Sequence, residues 1–284
     1  MKNNVQSRTP GAVLFLIFKY VFLVTASIVA LLPVVVCVLT AFKTNEEYQA
    51  TSPLDLPASF GYLTNFVEAW SKAEMFTGFR NTLVVLIFVL ILSIFFSATL
   101  AYVLDRFKFR GNGTIRNLFM FASLIPGIAT QVTVYQIMYS LGLINHLCGY
   151  VIVLCGTDII SIYIFLQFFE NLPVCLDESA ILDGCSYFGA FFRILFPLLK
   201  PAIVTSCVLK GVSIYNEYYM SNLYLTDKSL KTISTALYTF TGPYGSQYNY
   251  ICAGVLITII PILVLFLICQ KQVYGGMAAG AVKG

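Results

Sequence analysis

Charge is what this sequence has least of. Only 11% of its 284 residues are Asp, Glu, Lys or Arg, whereas 58% are apolar. An ordinary soluble domain carries about a quarter charged residues, so that class is excluded. One histidine, His146, leaves no room for a histidine-based metal cluster or a Ser-His-Asp site. No H-E-x-x-H occurs, and no G-x-x-x-x-G-K-[ST], so the chain does not supply its own ATP-binding loop. Eight cysteines are scattered without a C-x-x-C pair and read as small hydrophobes. A net charge of +4 is too small to imply a nucleic-acid partner.

What is present is a series of long apolar runs. The first reaches from Ala12 to Phe42, broken only by Lys19. A cleaved signal has an apolar core of roughly 7–15 residues, so Tyr20–Thr40 is expected to be an uncleaved first span. Lys19 would snorkel to the inner surface, and Pro33 would kink the helix. Further spans are expected at about 81–104, 118–141 (containing Pro126-Gly127), 148–168, 202–225 and 251–269. The fold class is therefore an all-α membrane protein with six transmembrane helices. A tail of residues 1–19 would precede the permeation domain of 20–269, and a tail of 270–284 would follow it. Between spans one and two, Lys43–Arg80 is polar, with a turn-rich S-P-L-D-L-P-A-S and a surface helix at F-V-E-A-W.

Orientation follows from Lys and Arg. Residues 2, 8, 106, 108, 110, 116, 193, 200, 271 and 283 fall on one side, ten in all. The other side holds five, at 43, 72, 80, 228 and 231. The richer side is read as cytoplasmic, with both termini on it.

The segment 170–201 between spans four and five breaks the pattern. Pro173–Pro201 carries Asp177, Glu178, Asp183, Arg193 and Lys200, each costing roughly 2.5–3.5 kcal/mol at a bilayer centre. Two short helices are expected: one from near Pro173 to Gly184, one from Ser186 as N-cap to just before Pro197. Leu176, Ala180 and Ile181 share a face at helical spacing. An apolar face held outside the membrane points to a protein partner. The plainer reading is an amphipathic loop lying on lipid, which leaves the acidic side chains unexplained.

Glu178-Ser179-Ala180, Gly184, Ile194 and Pro197 resemble the E-A-A---G---------I-x-L-P loop of permease subunits of bacterial ABC importers. Ser179 stands for the usual Ala and Phe196 for the usual Leu, with the spacing intact. The resemblance implies a coupling element that docks on a separate ATPase. In it Glu178, Ala180 and Gly184 would supply a charge, a small contact and a turn, with Asp183 alongside.

Three charges lie inside expected spans: Asp158 in the fourth, Lys210 and Glu217 in the fifth. Such residues usually face a cavity, a partner or one another. Lys210 and Glu217, seven residues apart, would share a helix face about 10 Å apart along the axis. With Tyr215, Asn216 and Tyr218 they would suit a pathway for a hydroxyl-rich solute. Helix-to-helix hydrogen bonding is an equal alternative, and Asp158 could instead pair with Lys210.

Tyr215-Asn216-Glu217-Tyr218 also resembles the W-N-E-Y/F segment of sugar-importer permeases, with Tyr for Trp. The ending Gly280-Ala281-Val282-Lys283-Gly284 is similar to the C-terminus of maltose-type permease subunits, whose tail reaches the ATPase interface. Taken alone, that ending would read as disordered. The resemblance implies a bacterial cytoplasmic-membrane subunit of a sugar or oligosaccharide importer. It also implies a second homologous permease forming a heterodimer, an ATPase dimer carrying ATP and Mg, and an extracytoplasmic solute-binding protein. No cofactor is expected on this chain, and no catalytic role. A secondary transporter, driven by ions through Asp158, Lys210 and Glu217, is the other class, although no inverted repeat is visible.

Overall fold

A long apolar run can satisfy its backbone groups inside a bilayer only by curling into a helix. The computed structural model describes residues 10–156, 158–242 and 245–281; it describes their side chains except at positions 10, 12, 13, 245, 269 and 271–281. Among the described residues all the long elements are helices. Three of them, Leu14–Ala41, Met75–Arg106 and Tyr248–Ile268, are long and apolar enough to cross a membrane. The number rises to six if each of three bent helix pairs counts as one span. The chain divides into two units, one made of the residues up to Ala73 with Thr239–Thr258, the other of Glu74–Tyr238 with the residues from Ile259 onward.

In the first unit, helix α1 (Pro10–Ala41) contains Pro33 without ending there. It begins ten residues before the expected span start, with a proline at its first position, where a missing N–H costs nothing. Lys19 therefore lies inside a helix of about 48 Å, longer than the roughly 30 Å apolar layer it must cross. Helix α2 (Asn45–Ala50) is capped by Thr44, whose hydroxyl accepts from Glu47 N at 3.2 Å. Lys43 is buried, its Nζ donating to Ser52 O at 2.7 Å and to Thr51 Oγ1 at 3.0 Å. Helix α3 (Thr64–Lys72) is the expected surface helix around F-V-E-A-W.

The second unit is organised around α4 (Met75–Arg106). Ser93, Ser97 and Ala101, one per turn, are buried along it, and such small residues let a neighbouring helix approach closely. Then come α5 (Asn112–Ser123), α6 (Gly127–Ser140), α7 (Leu147–Leu154) and α8 (Ile159–Asn171). The expected third span is bent by 98° between α5 and α6. Pro126, at the N-cap of α6, disfavours helical geometry in the residue before it. Tyr102 and Leu104 of α4 pack with Phe165, Leu166 and Phe169 of α8 and with Phe191, Leu195 and Leu199 further on.

Next are α9 (Cys175–Leu182), α10 (Tyr187–Ala190), a π turn at Phe191–Leu195, α11 (Phe196–Leu198) and α12 (Lys200–Tyr215). The expected fifth span, 202–225, is not one helix: α12 stops at Tyr215 and α13 (Tyr219–Tyr224) follows a break. After α14 (Ile233–Ala236), strands Thr241–Gly242 and Gly245–Ser246 pair antiparallel; Pro243 and Tyr244 lie outside the described residues. Helix α15 (Tyr248–Ala281) then continues well past the expected span end at 269.

Candidate functional site

Local chemistry explains the shape of the 170–201 loop. Helix α9 opens just after Pro173 and closes with Gly184 N donating to Ile181 O at 3.0 Å and Cys185 N to Ala180 O at 2.9 Å. Gly184 has φ +84°, the left-handed conformation a helix stop of this kind requires. Ser186 Oγ accepts from Gly189 N at 3.1 Å, the expected cap of α10. The second helix does not end before Pro197. The backbone widens into the π turn, and Pro197 then enters α11; widening relieves the clash a proline ring makes with the preceding turn.

The residues of α9 divide by face. Ala180 is only 3% exposed, and Leu176 packs against the buried cluster of α4 and α8. Leu176 and Ala180 thus turn toward this chain's own helices, which corrects for these two the expectation that the face awaits a partner, while half-buried Ile181 lines an open cleft with Tyr102, Arg106 and Leu182. Glu178, Ser179 and Asp183 point outward, and so does Leu182, at 87% exposure. Farther along, Tyr187 and Phe188 are exposed, Ile194 is half-buried and Pro197 is exposed.

What holds α9 in place is Arg106, the last residue of α4. Its Nε donates to Asp177 Oδ2 at 2.9 Å, and Nη2 donates to Leu172 O at 2.9 Å. Nη1 reaches Asp105 Oδ2 at 2.6 Å and Phe169 O at 3.2 Å. Arg116 extends the cluster to Glu170 and to the other oxygen of Asp105. Arg106 and Asp177 side chains are 8% and 10% exposed. The buried Arg106 guanidinium is tolerated because each of its three nitrogens is bonded, whereas the other oxygen of its partner, Asp177 Oδ1, has no hydrogen-bond partner among the described residues. In the sequence Arg106 and Arg116 count only as inner-side positive charges, and Asp177 only as a charge in the loop. Their 71-residue separation gives no spacing signal.

The intramembrane candidates do not gather into one site. Asp158 caps α8, accepting from Ser161 Oγ at 2.7 Å, and its Oδ2 lies 3.9 Å from Lys210 Nζ. That is the pairing expected as an alternative. Beside Asp158, Ser93, Ser97 and Cys155 line a cavity of about 270 Å³. Glu217 is past the end of α12, so it does not share a continuous helix face with Lys210. Its Oε1 accepts from Met220 N at 2.9 Å, and its carbonyl accepts from Ser234 Oγ at 2.8 Å. Asn216 Nδ2 donates to Val212 O at 2.9 Å. The Tyr218 ring stacks on Tyr238 with centroids 4.7 Å apart. Tyr215 lines an apolar cavity of about 540 Å³ between α4, α12 and the later part of α15. Gly280 and Ala281 are the last residues of α15, while Val282, Lys283 and Gly284 lie outside the described residues.

Residues 93–270, which hold both the α9 loop and the Asp158–Lys210 pair, match the family described as "Binding-protein-dependent transport system inner membrane component". The chain belongs to this family. As an inner membrane component it has curated relatives of nearly its own length. It is 33% identical over 266 residues to "Probable ABC transporter permease protein YurM" of Bacillus subtilis (strain 168), covering 93% of this chain and 88% of the relative. It is 30% identical over 255 residues to "Melibiose/raffinose/stachyose import permease protein MelC" of the same organism, covering 89% and 91%. Its fold is similar to that in "Crystal structure of a bacterial ABC transporter involved in the import of the acidic polysaccharide alginate". There the TM-score is 0.83 at 19% identity, over 94% of this chain and 99% of the other.

Proposed function

We propose that this inner membrane component is one half of the translocation pathway of an ATP-driven sugar importer. The names of its relatives, several of them oligosaccharide permeases, support the carbohydrate class. In this reading the chain makes six spans, with α12 rather than the Tyr187–Leu198 segment forming the fifth, and both termini and the 170–201 loop are cytoplasmic. A homologous permease completes the pathway, an extracytoplasmic binding protein delivers the sugar, and two ATPase chains bind ATP and Mg.

The observation that carries the reading is the two-faced α9. Its inner face is clamped to α4 and α8 through Asp177 and Arg106, while Glu178, Leu182 and Asp183 face outward. A helix clamped in this way transmits displacement instead of absorbing it, which is what coupling to a moving ATPase needs. Glu178 would meet basic groups of the ATPase, and Leu182 would enter an apolar cleft. Gly184 sets the turn that presents them, and the residues from Gly280 onward would reach the same partner. Alternating access would follow as ATPase closure pushes α9 and, through Arg106, the ends of α4 and α8.

The test is to purify the tagged chain from its native membrane in mild detergent and identify what accompanies it. An ATPase and a second permease are expected, and a Glu178→Lys, Leu182→Asp variant should lose the ATPase alone. Transport by this chain without an ATPase, or coupling unaffected in the variant, would overturn the reading.

A further inference from the structure

Helix α3 lies where two membrane-spanning helices end. Asn65 Nδ2 donates to Ala41 O, the last residue of α1, and to Lys43 O just beyond it, both at 2.8 Å. Asn249, in the first turn of α15, donates to Asn65 Oδ1 at 3.1 Å. Lys72 Nζ sits 5.2 Å from the centre of the Tyr250 ring, and Phe66 packs on Phe42 at 5.1 Å. Asn65 and Ala69 form the buried face of α3. Away from it, Leu63, Val67 and Trp70, spaced four and three residues apart, make a stripe that is 57%, 66% and 43% exposed. Glu68 and Lys72 pair at 2.7 Å on a separate, polar face.

We propose that α3 is an interfacial helix whose Leu63–Val67–Trp70 stripe is immersed in the headgroup–acyl boundary of the leaflet where α1 ends. Its bonds to the ends of α1 and α15 hold it at the depth where apolar span gives way to water. An amphipathic helix at that level buries its apolar stripe in lipid, and tryptophan favours that boundary over either bulk phase. The Glu68–Lys72 pair keeps the polar face hydrated. The lipid contact steadies the loop that joins α1 to α4.

Trp70 is the chain's single tryptophan, so its emission reports this site alone. The full chain is reconstituted in phosphatidylcholine vesicles, with and without lipids brominated at the headgroup end of the acyl chain. Acrylamide in the water phase is the second quencher. Stronger quenching by bromolipid than by acrylamide, and loss of that excess in Val67→Glu, is the expected result. Trp70→Phe should abolish the emission. Stronger quenching by acrylamide would place the stripe in water and overturn the proposal. Protection from both quenchers would overturn it too, by showing that protein, such as a second copy of the chain, covers α3. Neither result depends on what the chain transports.

Discussion

Arg106 Nε and Asp177 Oδ2, 71 residues apart in sequence, meet at 2.9 Å and join the end of α4 to the inner face of α9. The next residue, Glu178, is solvent-exposed where Asp177 is buried. Adjacent acids on one helical turn therefore have opposite duties. Asp177 anchors the loop to its own chain, and Glu178 is left available to something outside it.

That division predicts unequal costs for neighbouring substitutions. Asp177→Leu takes one of two carboxylates from an almost fully enclosed guanidinium that keeps Asp105, and losing that buried charged hydrogen bond should cost about 1.5–3 kcal/mol. Glu178→Gln changes an exposed group and should stay within about 0.5 kcal/mol. Arg106→Ala should cost at least as much as Asp177→Leu, because it also abandons the carbonyls of Phe169 and Leu172. Thermal unfolding in detergent measures all three. Equal midpoints for the Asp177 and Glu178 variants would refute the anchoring role.

Leu182, nearly bare at the tip of α9, gives the complementary prediction. Leu182→Asp removes no packing from this chain, so its unfolding midpoint should match the unsubstituted protein within about 0.5 kcal/mol of stability. Uptake in cells should nevertheless be lost, because an apolar anchor has become a charge at the proposed ATPase contact. Normal uptake by that variant would remove Leu182 from the contact.

The parts of this fold legible in the sequence are those set by local chemistry. Apolar run length announced the long helices, and Gly184 and Ser186 marked the stop and restart around α9. The break after α12 was not legible, because Tyr215-Asn216-Glu217-Tyr218 contains no Gly or Pro. It is stabilised by Glu217 capping Met220 N and by Ser234, seventeen residues on, bonding the Glu217 carbonyl. Which face of α9 turns inward was equally hidden, since it depends on Arg106 and on the α4 and α8 surface. Pairings between distant residues decided what spacing could not.

Gly184 separates conformational cost from collision. A Cβ there would meet nothing within 4 Å, so any penalty comes from φ +84° alone. Gly184→Ala should cost about 1–2 kcal/mol, the strain of a left-handed residue with a Cβ. Gly184→Asn should cost less, because its short amide tolerates that region. Stability in detergent should therefore run Gly, then Asn, then Ala. An alanine variant as stable as the parent would show that the turn relaxes, and that Gly184 matters only for what docks against it.

The Asp158–Lys210 pair tests whether these half-buried charges belong to the architecture or to the pathway. At 3.9 Å the contact is electrostatic, outside hydrogen-bond range, so its coupling must come from Coulomb attraction in a partly dehydrated setting. Lys210→Met leaves Asp158 with the Ser161 bonds and an unbalanced charge; Asp158→Asn with Lys210→Met removes both charges while leaving an oxygen for the α8 cap. The double variant should be more stable than the sum of the single losses predicts, by a coupling of about 0.5–3 kcal/mol. Strict additivity would mean the two groups do not sense each other. Uptake measured on the same variants adds the second axis. A double variant that is stable but transports poorly would assign the pair to the pathway, whereas one that is stable and fully active would make it a helix-to-helix tie.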